Sequence, residues 1–174
     1  QDKIRKLKNP TIIDFTMKQE HIPPHILEEE ENLCAAYARF CRELLTALKG
    51  TVPAVRVGYT AFSLLGPEGL AEMIRILKEA SAMGYYTILE GPYILSPMMA
   101  QATADAVFGP AAIYPCDGLV ICGYMGSDVI KPFLPYCTKG KKDLFVGVRT
   151  GNKSAPEIQD LLAGSRLVHM AAAD

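Results

Sequence analysis

The chain has 174 residues, of which 49% are hydrophobic and 21% charged, a composition that suits one soluble globular domain with a sizeable core. Its net charge of −1 gives no basis for a nucleic-acid partner, and no apolar run reaches the roughly 18 residues that a membrane span needs. Five cysteines (Cys34, Cys41, Cys116, Cys122 and Cys137) without CxxC spacing favour reduced thiols in a cytoplasmic chain over disulfides or zinc.

In chain order, residues 1–8 are polar and amphipathic. They allow a helix over 2–7 and lack the apolar core of a signal peptide. Strands are predicted over 11–16, 53–59, 85–90, 117–122, 143–148 and 166–170. Most are continuous apolar runs rather than alternations, the pattern of strands buried on both faces of a parallel sheet. Helices are predicted between them. Residues 32–49 and 68–83 carry apolar faces at helical spacing, and Gly84 stands where the second should stop. Ser96 and Pro97 read as an N-cap and a first-turn proline for a helix ending near Phe108. Ser127 is a candidate cap for a helix from Asp128, limited or kinked by Pro132 and Pro135. Residues 154–157 read as a capping box, with Gly164 ending that helix. The acidic run Glu28 to Glu31 reads as a solvated helix start or loop.

The order βαβαβαβαβαβ implies a parallel sheet with right-handed crossovers in one domain spanning 1–174. An eight-stranded barrel takes about 250 residues. Six β/α units therefore fit either an open six-stranded sheet or a barrel whose last two units lie outside this chain.

Several side chains stand out. Arg56 interrupts an apolar strand, and a buried guanidinium needs an anionic partner. Glu90, at the end of the neighbouring predicted strand, is one candidate; the alternative is that Arg56 reaches solvent at the strand end. The segments 117–126 and 144–152 each end in a polar, glycine-containing loop just past an apolar strand, where α/β folds present functional groups. Tyr124, Arg149 and Asn152 are the candidates there for contact with an anionic or base-like ligand, against a purely structural role at the rim. His21, His25 and His169 are scattered and support no metal site. Gly123 and Gly126 do not form a dinucleotide fingerprint, and Cys122 reads as a small core residue.

Residues 9–13 with 20–23 (Asn-Pro-Thr-Ile-Ile, then Glu-His-Ile-Pro), residues 53–56 (Pro-Ala-Val-Arg), residues 124–126 with 132–134 (Tyr-Met-Gly, then Pro-Phe-Leu), and Arg149, Thr150, Asn152 with 159–161 (Gln-Asp-Leu) occur in this order along the chain. In these segments the chain resembles the orotidine 5'-phosphate decarboxylase family, in its longer bacterial branch. The resemblance implies a (β/α)8 TIM-barrel fold with about six of the eight units present. It also implies a cytoplasmic homodimer active in pyrimidine biosynthesis, with no cofactor. The implied reaction converts orotidine 5'-phosphate to UMP and carbon dioxide. Its developing carbanion is met by an alternating Lys-Asp-Lys-Asp array held in a water-poor pocket. On this chain the ribose-binding Asp falls at Thr16, with Asp14 two positions earlier, and the second-strand Lys falls at Arg56. The third-strand Asp-x-Lys-x-x-Asp motif falls on Glu90, Pro92 and Leu95, and no Lys lies between Glu79 and Lys131 to restore it. The implied catalytic groups are thus Arg56 and Glu90, with Thr16, Tyr124, Arg149 and Asn152 towards substrate. The expected function is a decarboxylase-like protein with impaired or altered chemistry. The alternative is a non-catalytic relative that binds a nucleotide or other anion, or a partner subunit.

Overall fold

Parallel strands need crossover connections, usually helices, and these helices cover a face of the sheet. The computed structural model describes residues 1–16 and 18–174. Helix α1 (Asp2–Leu7) leads into β1 (Ile12–Phe15), and α2 (Pro24–Glu29) and α3 (Leu33–Ala47) cross to β2 (Ala54–Gly58). Helices α4 (Tyr59–Ser63) and α5 (Gly66–Ala82) then cross to β3 (Tyr86–Glu90), and α6 (Pro97–Phe108) to β4 (Gly118–Cys122). Short 3-10 turns and α7 (Leu134–Gly140) lead to β5 (Asp143–Gly147). The C-terminal part is α8 (Pro156–Gln159), a hairpin of β6 (Leu162–Ala163) and β7 (Arg166–Leu167), and α9 (Val168–Ala173).

Strands β1 to β5 lie side by side in sequence order, every pair parallel. An order that never reverses is that of a barrel wall; a doubly wound sheet has a switch point where it turns back. The fold is a partial (β/α)8-type barrel. One face of the sheet carries Phe15, Val55, Val57, Leu89 and Leu119, all fully buried against Met73, Ile76 and Leu77 of α5 and Ala100 and Ala104 of α6. The opposite, concave face carries Ile12, Asp14, Arg56, Glu90 and Phe145, which are partly or largely exposed.

Local signals explain most element ends. The Asn32 side chain accepts the Ala35 N–H at 2.9 Å and starts α3. Ser96 accepts the Met99 N–H at 3.3 Å, Pro97 opens α6, and α6 runs to Phe108. Gly84 takes a left-handed φ of +91° just past α5, a backbone that glycine adopts without a Cβ penalty. The acidic run is held at the surface by Arg39, which donates to Glu29 at 2.8 Å and Glu30 at 3.1 Å.

Cys122, expected in the core, is exposed at the end of β4, and three expectations of secondary structure are corrected. Residues 166–170 do not form a sixth parallel strand: only Arg166 and Leu167 are extended, paired antiparallel with Ala163 and Leu162. Gly164, at φ +68°, turns the chain back on itself, and Met170 with the alanines after it favours a helix instead of an extended run. The helix expected from Asp128 breaks into turns at Ser127–Val129 and Lys131–Phe133, because Pro132 and Pro135 have no N–H for a helical ladder. Residues 154–157 form no side-chain capping box; α8 has four residues and begins after Ala155. Among the described residues, no helix is long and apolar enough to cross a membrane.

Helix α5 seals the core over the middle of the sheet. Leu77→Ala, at a fully buried position, is expected to lower the unfolding free energy by about 2–5 kcal/mol. Urea unfolding at unchanged m-value measures it.

Candidate functional site

Side chains alternate faces along a strand, so the concave face collects every second residue, and parallel pairing sets which of them meet. Asp14 of β1 lies opposite Arg56 of β2, and Glu90 of β3 lies opposite Gly58, two residues further along β2. Arg56 is thereby bracketed by two carboxylates. Its Nε donates to Asp14 Oδ1 at 3.2 Å, and its Nη2 makes a second, shorter bond to Asp14 Oδ2. Its Nη1 sits 3.1 Å from Glu90 Oε2. That second contact is one of charge: Glu90 Oε2 is shut off from solvent and has no hydrogen-bond donor. The three side chains are otherwise half-exposed on the open concave face, at 41% for Asp14, 37% for Arg56 and 43% for Glu90. Pairs this exposed contribute well under what a buried ion pair would, of the order of 0–1 kcal/mol each.

Partial burial raises the Asp14 carboxyl. The hydrogen bonds from Arg56 and Thr16 together with the Arg56 charge outweigh it and hold the group below its usual value of 3.8. Asp14 in turn raises the Arg56 guanidinium against partial burial, so this side chain stays charged throughout the physiological range. Thr16 supports the triad from the position just past β1: its N–H donates to Asp14 Oδ1 at 3.2 Å. Its methyl fills the space beside β2, where a Cβ on Gly58 would lie only 2.6 Å from Thr16 Cγ2.

Past β3 the wall becomes apolar. Gly91 takes φ +90°, the Gly91–Pro92 peptide is cis, and Tyr93 and Leu95 are 80% and 74% exposed. The base of the concave face is closed differently. Tyr86 donates its hydroxyl to Asp143 across to β5, and Gly118 leaves room for the Phe145 ring, which a Cβ there would meet at 2.7 Å.

The candidates after β4 and β5 form a separate, self-satisfied set. The Tyr124 hydroxyl donates to the Val148 carbonyl at 2.6 Å. Arg149 makes a two-pronged pair with Asp160, at 3.0 Å and 2.9 Å. Asn152 accepts from the Thr150 hydroxyl at 2.5 Å, and Gln159 both accepts from the Thr150 N–H and donates to its hydroxyl, each at 2.8 Å. His169 Nδ1 lies 2.9 Å from the Gln159 carbonyl and 3.2 Å from Asp160, tying α9 to this rim. These polar groups hold the loop after β5 in shape; the Arg149 fork is already filled by its carboxylate.

Among the sequence candidates, the structure therefore brings together Arg56, Glu90 and Thr16, and adds Asp14, which the sequence reading names only as the carboxylate two positions before Thr16. Its signal is the period of two: Asp14 shares a face with Thr16, and pairing of the first two parallel strands puts it beside Arg56. Among the described residues, no group of three His, Cys, Asp or Glu side chains is placed to hold a metal ion.

No family model matches the chain. It is similar to an orotidine 5'-phosphate decarboxylase of Rhodopirellula baltica, 29% identical over 173 residues that cover 94% of this chain and 57% of the relative. An orotidine 5'-phosphate decarboxylase of Clostridium perfringens is 30% identical over 149 residues, covering 83% of this chain and 50% of the relative. The chain thus spans about half the length of the curated relatives it matches. Among solved structures, the Leishmania donovani OMP decarboxylase superposes with a TM-score of 0.74 at 22% identity, over 99% of this chain and 62% of the other. The Plasmodium berghei orotidine 5'-monophosphate decarboxylase does so with a TM-score of 0.78 at 14% identity, over 99% and 67%. At these identities the structural likeness establishes the fold.

Two measurements follow from the geometry. Because the Asp14 pKa is lowered on folding, its contribution is present above pH 3.8 and is lost as pH falls through the folded value. Asp14→Asn is expected to destabilise the chain at pH 7, with the deficit closing in urea titrations taken below about pH 3.8. Tyr124→Phe removes one hydrogen bond to a carbonyl and is expected to cost about 1 kcal/mol in the same assay.

Proposed function

We propose, from a chain that is orotidine 5'-phosphate decarboxylase-like in sequence and in fold, that it binds a pyrimidine nucleotide at the carboxyl ends of its parallel strands and that its decarboxylation chemistry is impaired. The observation that carries this reading is the state of Arg56, whose guanidinium is held between Asp14 and Glu90. Decarboxylation breaks the bond between the pyrimidine ring and its carboxylate, and the electron pair left on the ring must be stabilised and then protonated. A positive charge placed at that carbon and a proton ready to move are what an enzyme supplies. Arg56 is a poor source of either. Its charge is already engaged by two carboxylates, and Asp14 strengthens its hold on its protons. Asp14 is deprotonated at neutral pH and has no proton to give. The residue two places past Glu90 is Pro92, where the resemblance puts the proton-donating Lys, and Leu95 takes the place of the second Asp.

The same reading places the protein in pyrimidine nucleotide metabolism in the cytoplasm, consistent with five free cysteines. It also pairs the chain with a second copy: Tyr93, Leu95 and Met98 form an exposed apolar surface beside the carboxyl end of β3. Arg149, Asn152 and Tyr124 act in this reading by shaping the rim, their side chains being engaged by Asp160, Thr150 and the Val148 carbonyl.

The deciding assay follows loss of orotidine 5'-phosphate absorbance with the purified chain, with UMP binding measured on the same sample by calorimetry. The expected result is no turnover above a heat-inactivated control together with UMP binding. Turnover overturns the impaired chemistry and requires another proton donor. Absence of both turnover and binding overturns the nucleotide reading.

A further inference from the structure

We infer that the amino-terminal end of the sheet carries a second ligand site, between α1 and the starts of β2 and β3, which takes a small aryl phosphate: one flat apolar ring bearing a phosphate. The site lies towards the opposite end of the strands from the Asp14–Arg56–Glu90 triad and stands independently of the nucleotide reading above.

The first observation is the cavity. A hollow of about 260 Å³ opens where the chain enters β2 and β3, with an apolar lining at Leu7, Val52, Pro53, Met83 and Tyr85. Sites for drug-sized ligands run to roughly 300–1,000 Å³, so this volume suits one ring with one small charged group and excludes a dinucleotide.

The second is the sign of the charge. Lys3, Lys6 and Lys49 belong to the same lining and no Asp or Glu does, in a chain whose net charge is −1. Lys3, Lys6 and Leu7 share a face of α1 through their i, i+3 and i+4 spacing. Asp2, the acidic residue of α1, stands outside the lining and pairs with Arg5 at 3.9 Å. Lys3 Nζ donates to the Gly84 carbonyl at 2.6 Å and keeps its other protons free. Among the described residues, Lys6 and Lys49 have no hydrogen-bond or ion-pair partner. The ends of α3 and α5 also approach this hollow, but a helix C-terminus carries only about half an elementary negative charge, so a net positive charge remains. Cations gathered at one apolar hollow repel one another, and an anion seated among them turns repulsion into attraction. An aryl phosphate answers both features: its ring covers the apolar lining and its oxygens accept from the ammonium groups.

The third is the attachment of α1. This helix buries no side chain; Lys3 ties it to Gly84, and just beyond it the Asn9 side chain donates to the Thr51 carbonyl at 2.9 Å. A phosphate bridging Lys3 and Lys6 to Lys49 fastens the helix to the barrel.

The test titrates the intact chain with phenyl phosphate, followed by backbone amide NMR, with inorganic phosphate and phenol as the two halves of the probe. Phenyl phosphate is expected to shift amides within 3–7, 49–52 and 83–85, and to bind at least roughly tenfold more tightly than either half, because ring burial and charge add. Its affinity is expected to fall with added salt, and hydrogen exchange over 2–7 to slow in its presence. Lys6→Gln and Lys49→Gln remove charges that hold nothing else in place; each is expected to weaken binding about threefold, and the two together about tenfold. Circular dichroism verifies that the variants fold, and the comparison of the three probes on the unaltered chain needs no variant. Shifts confined to the carboxyl ends of the strands, inorganic phosphate binding as tightly as phenyl phosphate, indifference to the double substitution, or no binding at millimolar concentration each overturn the inference. None of these results bears on the nucleotide reading, which UMP binding tests at the other end of the strands.

Discussion

The in-order parallel register of β1, β2 and β3 is the constraint on which the rest depends. It sets Asp14 directly beside Arg56 and puts Glu90 within reach on the far side. A register shifted by one residue would send all three side chains to the helix face, where charge has no partner and the buried Val55, Val57 and Leu89 now pack. The same alternation that builds the core therefore builds the site. Packing under α5 and α6 holds the strands in register, and the register holds the triad together.

The concave face shows a division of labour along the strands. Towards the amino ends, Tyr86, Asp143 and Phe145 interact across the sheet, made possible by the missing side chain at Gly118. Towards the carboxyl ends the charged triad stands open. Beyond it, the loop after β5 has closed on itself through Arg149, Asp160, Gln159 and Thr150. The polar groups of this rim satisfy one another, while the triad retains an acceptor atom with no donor. Among the described residues, the buried side-chain polar atom without a hydrogen-bond partner is a carboxylate oxygen.

The departures from the sequence reading have a common cause. Residues 166–170 carry enough apolar character for a strand, although Met170 and the alanines after it favour a helix. The context before them acts the same way: α8 is a single turn, too short to carry the chain back across the sheet, and Gly164 folds it into a hairpin. Arg149 gives a parallel lesson. From sequence its role is open between a ligand contact and a structural part of the rim, and Asp160, eleven residues away, takes both prongs of its fork. The Arg56 to Glu90 pairing, in contrast, was legible, because adjacent parallel strands are the default neighbours and a guanidinium in an apolar run requires an anion.

By itself the sequence determined the alternation of strands and helices, the starts of α3 and α6, the stop after α5, and the need of Arg56 for a negative partner. Each of these rests on side-chain periodicity or on a cap within a few residues, which are local matters. Only the tertiary structure decided that Asp14 is the closer partner of Arg56, that Glu90 keeps an acceptor without a donor, and that the last extended segment leaves the sheet. Asp14 and Arg56 are 42 residues apart in the chain, and contacts at that separation are set by which strands lie side by side and in what register, a property of the packed sheet as a whole.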